Sequence, residues 1–161
     1  MTKKIEYKDL ANYFIGLSNE TGNLISNLKL QKLMYYAQAW HLAYFKERLF
    51  DGDFEAWVHG PVLSDLYHNY KQYRWMPIVE KDLDDKAVKR VEIELLTEKQ
   101  TELLTDVVNE YFGLTAFELE RMTHDEAPWQ KARVGLSIDQ ASTNLIKDEW
   151  MIEYYGKYIT E

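Results

Sequence analysis

The sequence contains no cysteine. That excludes a disulfide framework, a thiolate metal site and a cysteine nucleophile, and it suits a reducing compartment, so a cytoplasmic location is expected. Proline is scarce, at three residues, and glycine is limited to seven among 161, which leaves long stretches free of helix breakers. No apolar run approaches the roughly eighteen residues that mark a membrane span, so no membrane partner is expected. The segment Met1 to Asp9 turns polar directly after Ile5 and lacks the apolar stretch of a signal peptide.

Positive charge is in deficit: 19 Lys and Arg stand against 27 Asp and Glu, for a formal net charge of −8. The cations are scattered among acids instead of forming a basic stripe. This disfavours direct nucleic-acid binding and suits solubility, or attraction to a basic partner such as an enzyme that handles RNA. Familiar catalytic patterns are missing as well. There is no glycine-rich phosphate loop, no H-E-x-x-H helix and no G-x-S-x-G elbow, which weighs against an enzyme.

What is present is apolar and aromatic residue, at 46% and 14% of the chain. A chain of this length buries about 70% of its unfolded surface in one core, and a single domain over residues 1–161 is expected. From Leu28 to about Lys46 there is no glycine or proline, and apolar residues from Leu30 to Phe45 cover most of the helical circumference, as in the middle of a bundle. Its polar residues Gln31, Gln38 and His41 fall near one side and need buried partners. Leu10, Ala11, Phe14 and Leu17 mark an earlier helix from Tyr7 to Leu17, ending near the turn formers Ser18 to Asn23.

The pair Asp51-Gly52 predicts a two-residue hairpin turn. The outgoing strand alternates, with Phe54, Ala56 and Val58 on one face and Glu55, Trp57 and His59 on the other. Gly60 then turns the backbone and Pro61 opens a helix running through Val62, Leu63, Leu66 and Tyr70. Val91, Ile93 and Leu95 alternate with glutamates and predict an extended segment. Capping-box patterns follow at Thr97/Gln100, Thr115/Glu118 and Thr123/Glu126. Pro128 starts a short helix carrying Trp129 and Arg133, and a last helix begins at Lys147. The fold class is therefore mainly α (α+β): a compact helical domain around a central buried helix, with a small antiparallel β-hairpin.

Candidate chemistry gathers in three segments rich in Trp and His: Gln38 to His41, Glu55 to Pro61, and Thr123 to Trp129. The four histidines are far apart in sequence and form a zinc site only if the fold gathers them. Glu55 and His59, on one strand face, could form a general-base pair, with His124 as a third participant in an enzyme or nucleotide-binding alternative. Neither a nucleophile nor a leaving-group acid accompanies them. His59 and His124 are otherwise expected to satisfy backbone groups at corners, beside Trp57 and Trp129.

The run Leu30 to Ala43 with its Trp40-His41 pair, the run Ala56 to Val62 with His59-Gly60-Pro61, and the run Met122 to Arg133 with Thr123-His124 before Pro128-Trp129 together resemble the Panacea domain. That family includes phage-associated proteins and SocA-like proteolytic adaptors. The resemblance extends in order from about Leu28 to Tyr155. It implies an antitoxin of a bacterial or prophage toxin–antitoxin system that neutralises its cognate toxin, usually encoded beside it, by direct protein–protein binding. In the adaptor branch the toxin is delivered to an ATP-dependent protease instead. No catalysis, cofactor or metal is called for. The chain departs from the family pattern at Tyr73-Arg74-Trp75, where a glycine is expected, and Arg74 and Trp75 become candidate interface anchors. The partner-binding residues expected on this reading are Trp40, His41, Glu55, Trp57, His59, Gly60, Pro61, Arg74, Trp75, Thr123, His124, Pro128, Trp129 and Arg133.

Overall fold

The computed structural model describes residues 1–159. Helix α2 (Asn27–Phe45) forms its axis. The Ser26 hydroxyl accepts from the Lys29 backbone N–H at 3.2 Å, satisfying one of the donors a helix start leaves open. Because α2 is apolar on nearly every side, it must be covered on every side. Helices α1 (Tyr7–Thr21), α5 (Glu98–Tyr111), α6 (Ala116–His124) and α8 (Asp148–Gly156) do this, with a two-stranded hairpin.

The polar stripe of α2 serves to anchor backbone. Gln31 Oε1 accepts from the Leu63 N–H at 2.9 Å. Gln38 accepts from the Leu49 N–H at 2.8 Å and donates to the Phe50 carbonyl at 2.7 Å. Each buried amide thus pairs with a strand or loop that would otherwise leave peptide groups unsatisfied.

Helix α1 runs one turn beyond the expected Leu17, to Thr21. Ser18 is tolerated inside it because its hydroxyl donates to the Ile15 carbonyl at 2.8 Å, and Gly22, in the left-handed region at φ 76°, ends it. The hairpin is displaced from its expected place. Strands β1 (Phe54–Trp57) and β2 (Gly60–Leu63) pair antiparallel, with Trp57 opposite Gly60 and Phe54 opposite Leu63, so the turn is Val58-His59 and not Asp51-Gly52. Val58 and His59 keep negative φ while Gly60 carries φ 105°, the arrangement of an ordinary turn followed by a left-handed glycine. Gly52 serves close packing instead, since a Cβ there would lie 2.7 Å from Leu63 Cδ1.

Pro61 accordingly lies in β2, and α3 (Ser64–Tyr70) begins three residues later. The other edge of β1 is covered by the C-terminal segment. The Ala56 N–H donates to Asn144 O and the Ile146 N–H to Phe54 O, each at 2.8 Å, which leaves no open strand edge there. Residues Arg90–Leu95, expected to be extended, form a π-helical turn continuing α4 (Asp85–Lys89). A strand would have placed Val91 and Ile93 on one face, but Val91 is buried and Ile93 exposed. The capping boxes at Thr97/Gln100 and Thr115/Glu118 are both formed. The one at Thr123/Glu126 is not: Thr123 lies inside α6 with its hydroxyl on the Glu120 carbonyl at 2.7 Å. Helix α7 (Ala127–Ala132) carries Pro128 in its first turn, as expected.

Candidate partner-binding surface

The hairpin and the α6–α7 corner meet over a buried lysine. Lys32, on α2, is 1% exposed, and its Nζ donates to the Pro61 carbonyl at 3.2 Å. Its methylenes run directly beneath Gly60, where a Cβ would lie 2.5 Å from Lys32 Cε and 2.9 Å from Thr123 Oγ1. The glycine of the His-Gly-Pro run is thus required both by its backbone conformation and by the lysine below it. Burial pushes the Lys32 ammonium down to about 7, partly opposed by the negative Glu120.

Around this post the motif residues form one layered structure. The His124 ring stacks on Trp129 with centroids 4.0 Å apart, and the Arg133 guanidinium lies 5.0 Å from the Trp129 ring centroid. Trp129 Nε1 donates to the Trp57 carbonyl at 2.9 Å and Arg133 Nη1 to the Ala56 carbonyl at 2.8 Å. The imidazole of His124 is pushed below its ordinary pKa, chiefly by burial, so it is neutral at pH 7. His59 is exposed at the turn and its Nδ1 lies 3.0 Å from Glu120 Oε1. Trp57 donates to its own strand neighbour, Glu55 Oε1, at 2.8 Å and packs its edge against Tyr67.

Glu55, His59 and His124 therefore do not converge: one accepts from an indole, one faces Glu120, and one stacks on Trp129. His41 stands apart, buried in the core with Nδ1 2.7 Å from the Glu47 carbonyl and Nε2 2.9 Å from Gln100 Nε2. Among the described residues no group of three or more His, Asp and Glu side chains could hold a metal ion, and no helix is long and apolar enough to cross a membrane.

Arg74 and Trp75 occupy a different part of the surface. The Met76 N–H donates to the Tyr73 carbonyl at 2.9 Å, and Arg74 has φ 57° and ψ −122°. This is a type II′ turn whose first central position favours glycine, which explains why a glycine is the expected residue there. Trp75 is 82% exposed.

Trp40 points elsewhere again, into a groove of about 420 Å³ between α2, α5 and α8. Its Nε1 donates to the Tyr111 hydroxyl at 2.8 Å, and Tyr111 stacks on Tyr36 with centroids 4.0 Å apart. At the inner end sits Glu126, whose Oε1 accepts from the Tyr36 hydroxyl at 2.8 Å and the Tyr155 hydroxyl at 2.7 Å. Burial raises the Glu126 carboxyl, opposed by those two hydrogen bonds. Glu126, Tyr111 and the tyrosines of α8 escape a reading by motif because they come from three separate segments. The only sequence signal is an unusual number of tyrosines, 12 in the chain.

A family model described as antitoxin SocA-like, Panacea domain, matches residues 30–130. No curated protein and no solved structure matches the chain. The matched region runs from the first turns of α2 into α7, including the hairpin, the lysine post and the His124–Trp129 stack. This protein belongs to the SocA-like antitoxin family with a Panacea domain.

Proposed function

We propose that this chain is an antitoxin that neutralises a toxin protein by binding it directly, without making or breaking covalent bonds. The match over residues 30–130 carries this reading. The geometry is in keeping with it: Trp129 and Arg133 are spent on hydrogen bonds to the hairpin backbone, His124 stacks on Trp129, and Trp57 and His59 are held by the carboxylates of Glu55 and Glu120, which together build a rigid surface. An interface that blocks a toxin's active site buries about 1,200–2,000 Å² in total, anchored by a few aromatic or Arg side chains. A net charge of −8 favours a basic partner.

The test is to express the product of the adjacent open reading frame with and without this chain. Relief of growth arrest, together with a complex that survives size-exclusion chromatography, is the expected result. A toxin that stays active and elutes alone refutes the proposal. Toxin abundance separates the two routes to neutralisation. Occlusion leaves it unchanged, whereas delivery to an ATP-dependent protease lowers it in proportion to antitoxin.

A further inference from the structure

We infer that the groove between α2, α5 and α8 is the seat of an arginine side chain presented by the protein partner, an inference that rests on the antitoxin reading. Its walls are the rings of Trp40, Tyr44, Tyr111 and Tyr154, and its charged lining is Asp106, Glu110 and Glu126. None of these three carboxylates has a cation within 4.0 Å among the described residues, although nine ion pairs form elsewhere. Asp106 and Glu110 stand four residues apart on α5, where like charges destabilise a helix. The molecule thus keeps a local repulsion beside an open groove, with no ion-pair partner for it among the described residues.

The rest of the groove has the chemistry of a cation seat. Trp and Tyr faces attract a positive charge, most strongly where it is partly desolvated. Tyr154 and Tyr158 already do so, with Lys157 Nζ 4.5 Å and 5.7 Å from their ring centroids. Glu126 is held in place through Oε1 by two tyrosine hydroxyls, while Oε2 accepts no hydrogen bond from any described residue. Tyr44, at the mouth, is 51% exposed.

Arginine fits this arrangement better than lysine. A planar guanidinium can lie against a ring while its in-plane N–H groups fork onto carboxylates, whereas an ammonium is a compact, strongly hydrated point charge. A phosphate-bearing ligand is repelled by the same carboxylates, and a purely apolar one would strip water from them without replacement.

The probe is N-acetyl-arginine amide, titrated into the protein while the indole N–H resonance of Trp40 is followed by NMR. Its neutral isostere, N-acetyl-citrulline amide, is the control. The arginine compound is expected to give a saturable shift, the citrulline compound a response at least about tenfold weaker, and Asp106→Asn/Glu110→Gln about a tenfold loss for arginine. Both positions are exposed and neither side chain makes a hydrogen bond among the described residues, so the variant stays folded. Equal binding of citrulline, no saturable shift, or undiminished binding by the double variant overturns the inference. The same variant is then measured against the toxin. A loss of about tenfold in affinity supports the inference, and unchanged affinity overturns it while leaving the antitoxin reading intact. A toxin that never binds the wild type defeats the antitoxin reading and with it the partner assigned to the groove, whereas a failed arginine titration overturns the arginine seat while leaving the antitoxin reading intact.

Discussion

Replacing Lys32 by methionine should stabilise the protein at neutral pH and remove part of its pH dependence. Lys32 is 1% exposed, and burial lowers its pKa from an ordinary 10.5 to about 7. Between those values the unfolded chain holds the proton and the folded chain has released it, so wild-type stability rises with pH across this window. Below pH 7 the burden on folding is fully present. At ~1.36 kcal/mol for each tenfold difference in proton affinity, the wild type gains roughly 3 kcal/mol between pH 7 and 9.5. At pH 7 the burden itself is about 4 kcal/mol on the same scale. Methionine matches the length of the stem and has no charge to bury. Against this, it deprives the Pro61 carbonyl of its donor, which costs about 1–2 kcal/mol. Lys32→Met is therefore expected to be about 2–3 kcal/mol more stable at pH 7, in line with apolar replacements of buried charge.

The assay is urea denaturation of both proteins from pH 7 to 9.5. The upper limit stays below pH 10, where the unfolded tyrosines ionise while buried ones such as Tyr36 hold their protons and stability falls for a different reason. His41 and His124, whose pKa values burial lowers, are neutral across the window. The difference between variant and wild type should shrink as pH rises. Parallel stability curves, or a variant less stable than the wild type at pH 7, would refute the account of Lys32 as a desolvated cation under the hairpin.

Three further outcomes follow from the same geometry. Gly60→Val meets both a φ of 105° and the Lys32 and Thr123 side chains within 3 Å of its Cβ, and a loss of about 3 kcal/mol or more is expected; a fully stable Gly60→Val that no longer binds its partner would contradict the structural role given to this glycine. Arg74→Gly relieves a II′ turn position and should raise stability by about 0.5–1 kcal/mol, the strain released exceeding the added freedom of the unfolded chain; a fall in thermal midpoint would show that Arg74 makes contacts worth more than the strain. Gln38→Met strips the Leu49 N–H and Phe50 carbonyl of their partners and should cost about 2–3 kcal/mol. In hydrogen exchange, protection should then be lost first at Leu49 and Phe50, and uniform loss across the chain would speak against a local clamp.

Much of the helical frame was legible because its signals are local. The period of α2, the Thr97 and Thr115 boxes and Pro128 each act within one or two turns, so residues near in sequence suffice to place them. The partners of Gln31, Gln38 and His41 could be demanded from sequence but not named, since a buried amide requires a partner wherever the fold supplies one. Local signals also misled where a residue type has two uses. Asp51-Gly52 has the composition of a hairpin turn, yet the glycine is there to admit Leu63. Thr123 and Glu126 have capping-box spacing, but the threonine is swallowed by α6 and the glutamate is drawn to Tyr36 and Tyr155.

By itself the sequence determined the class of the molecule: a chain without cysteine, acidic, apolar around one long helix, and carrying Trp and His at its bends. Only the tertiary structure decided what those side chains face. Lys32 under Gly60, Arg133 on the Ala56 carbonyl and Glu126 between two tyrosines each join segments about 30 to 90 residues apart. Such contacts depend on how α2 is surrounded, and helical period and turn chemistry carry no information about that because they act over only a few residues.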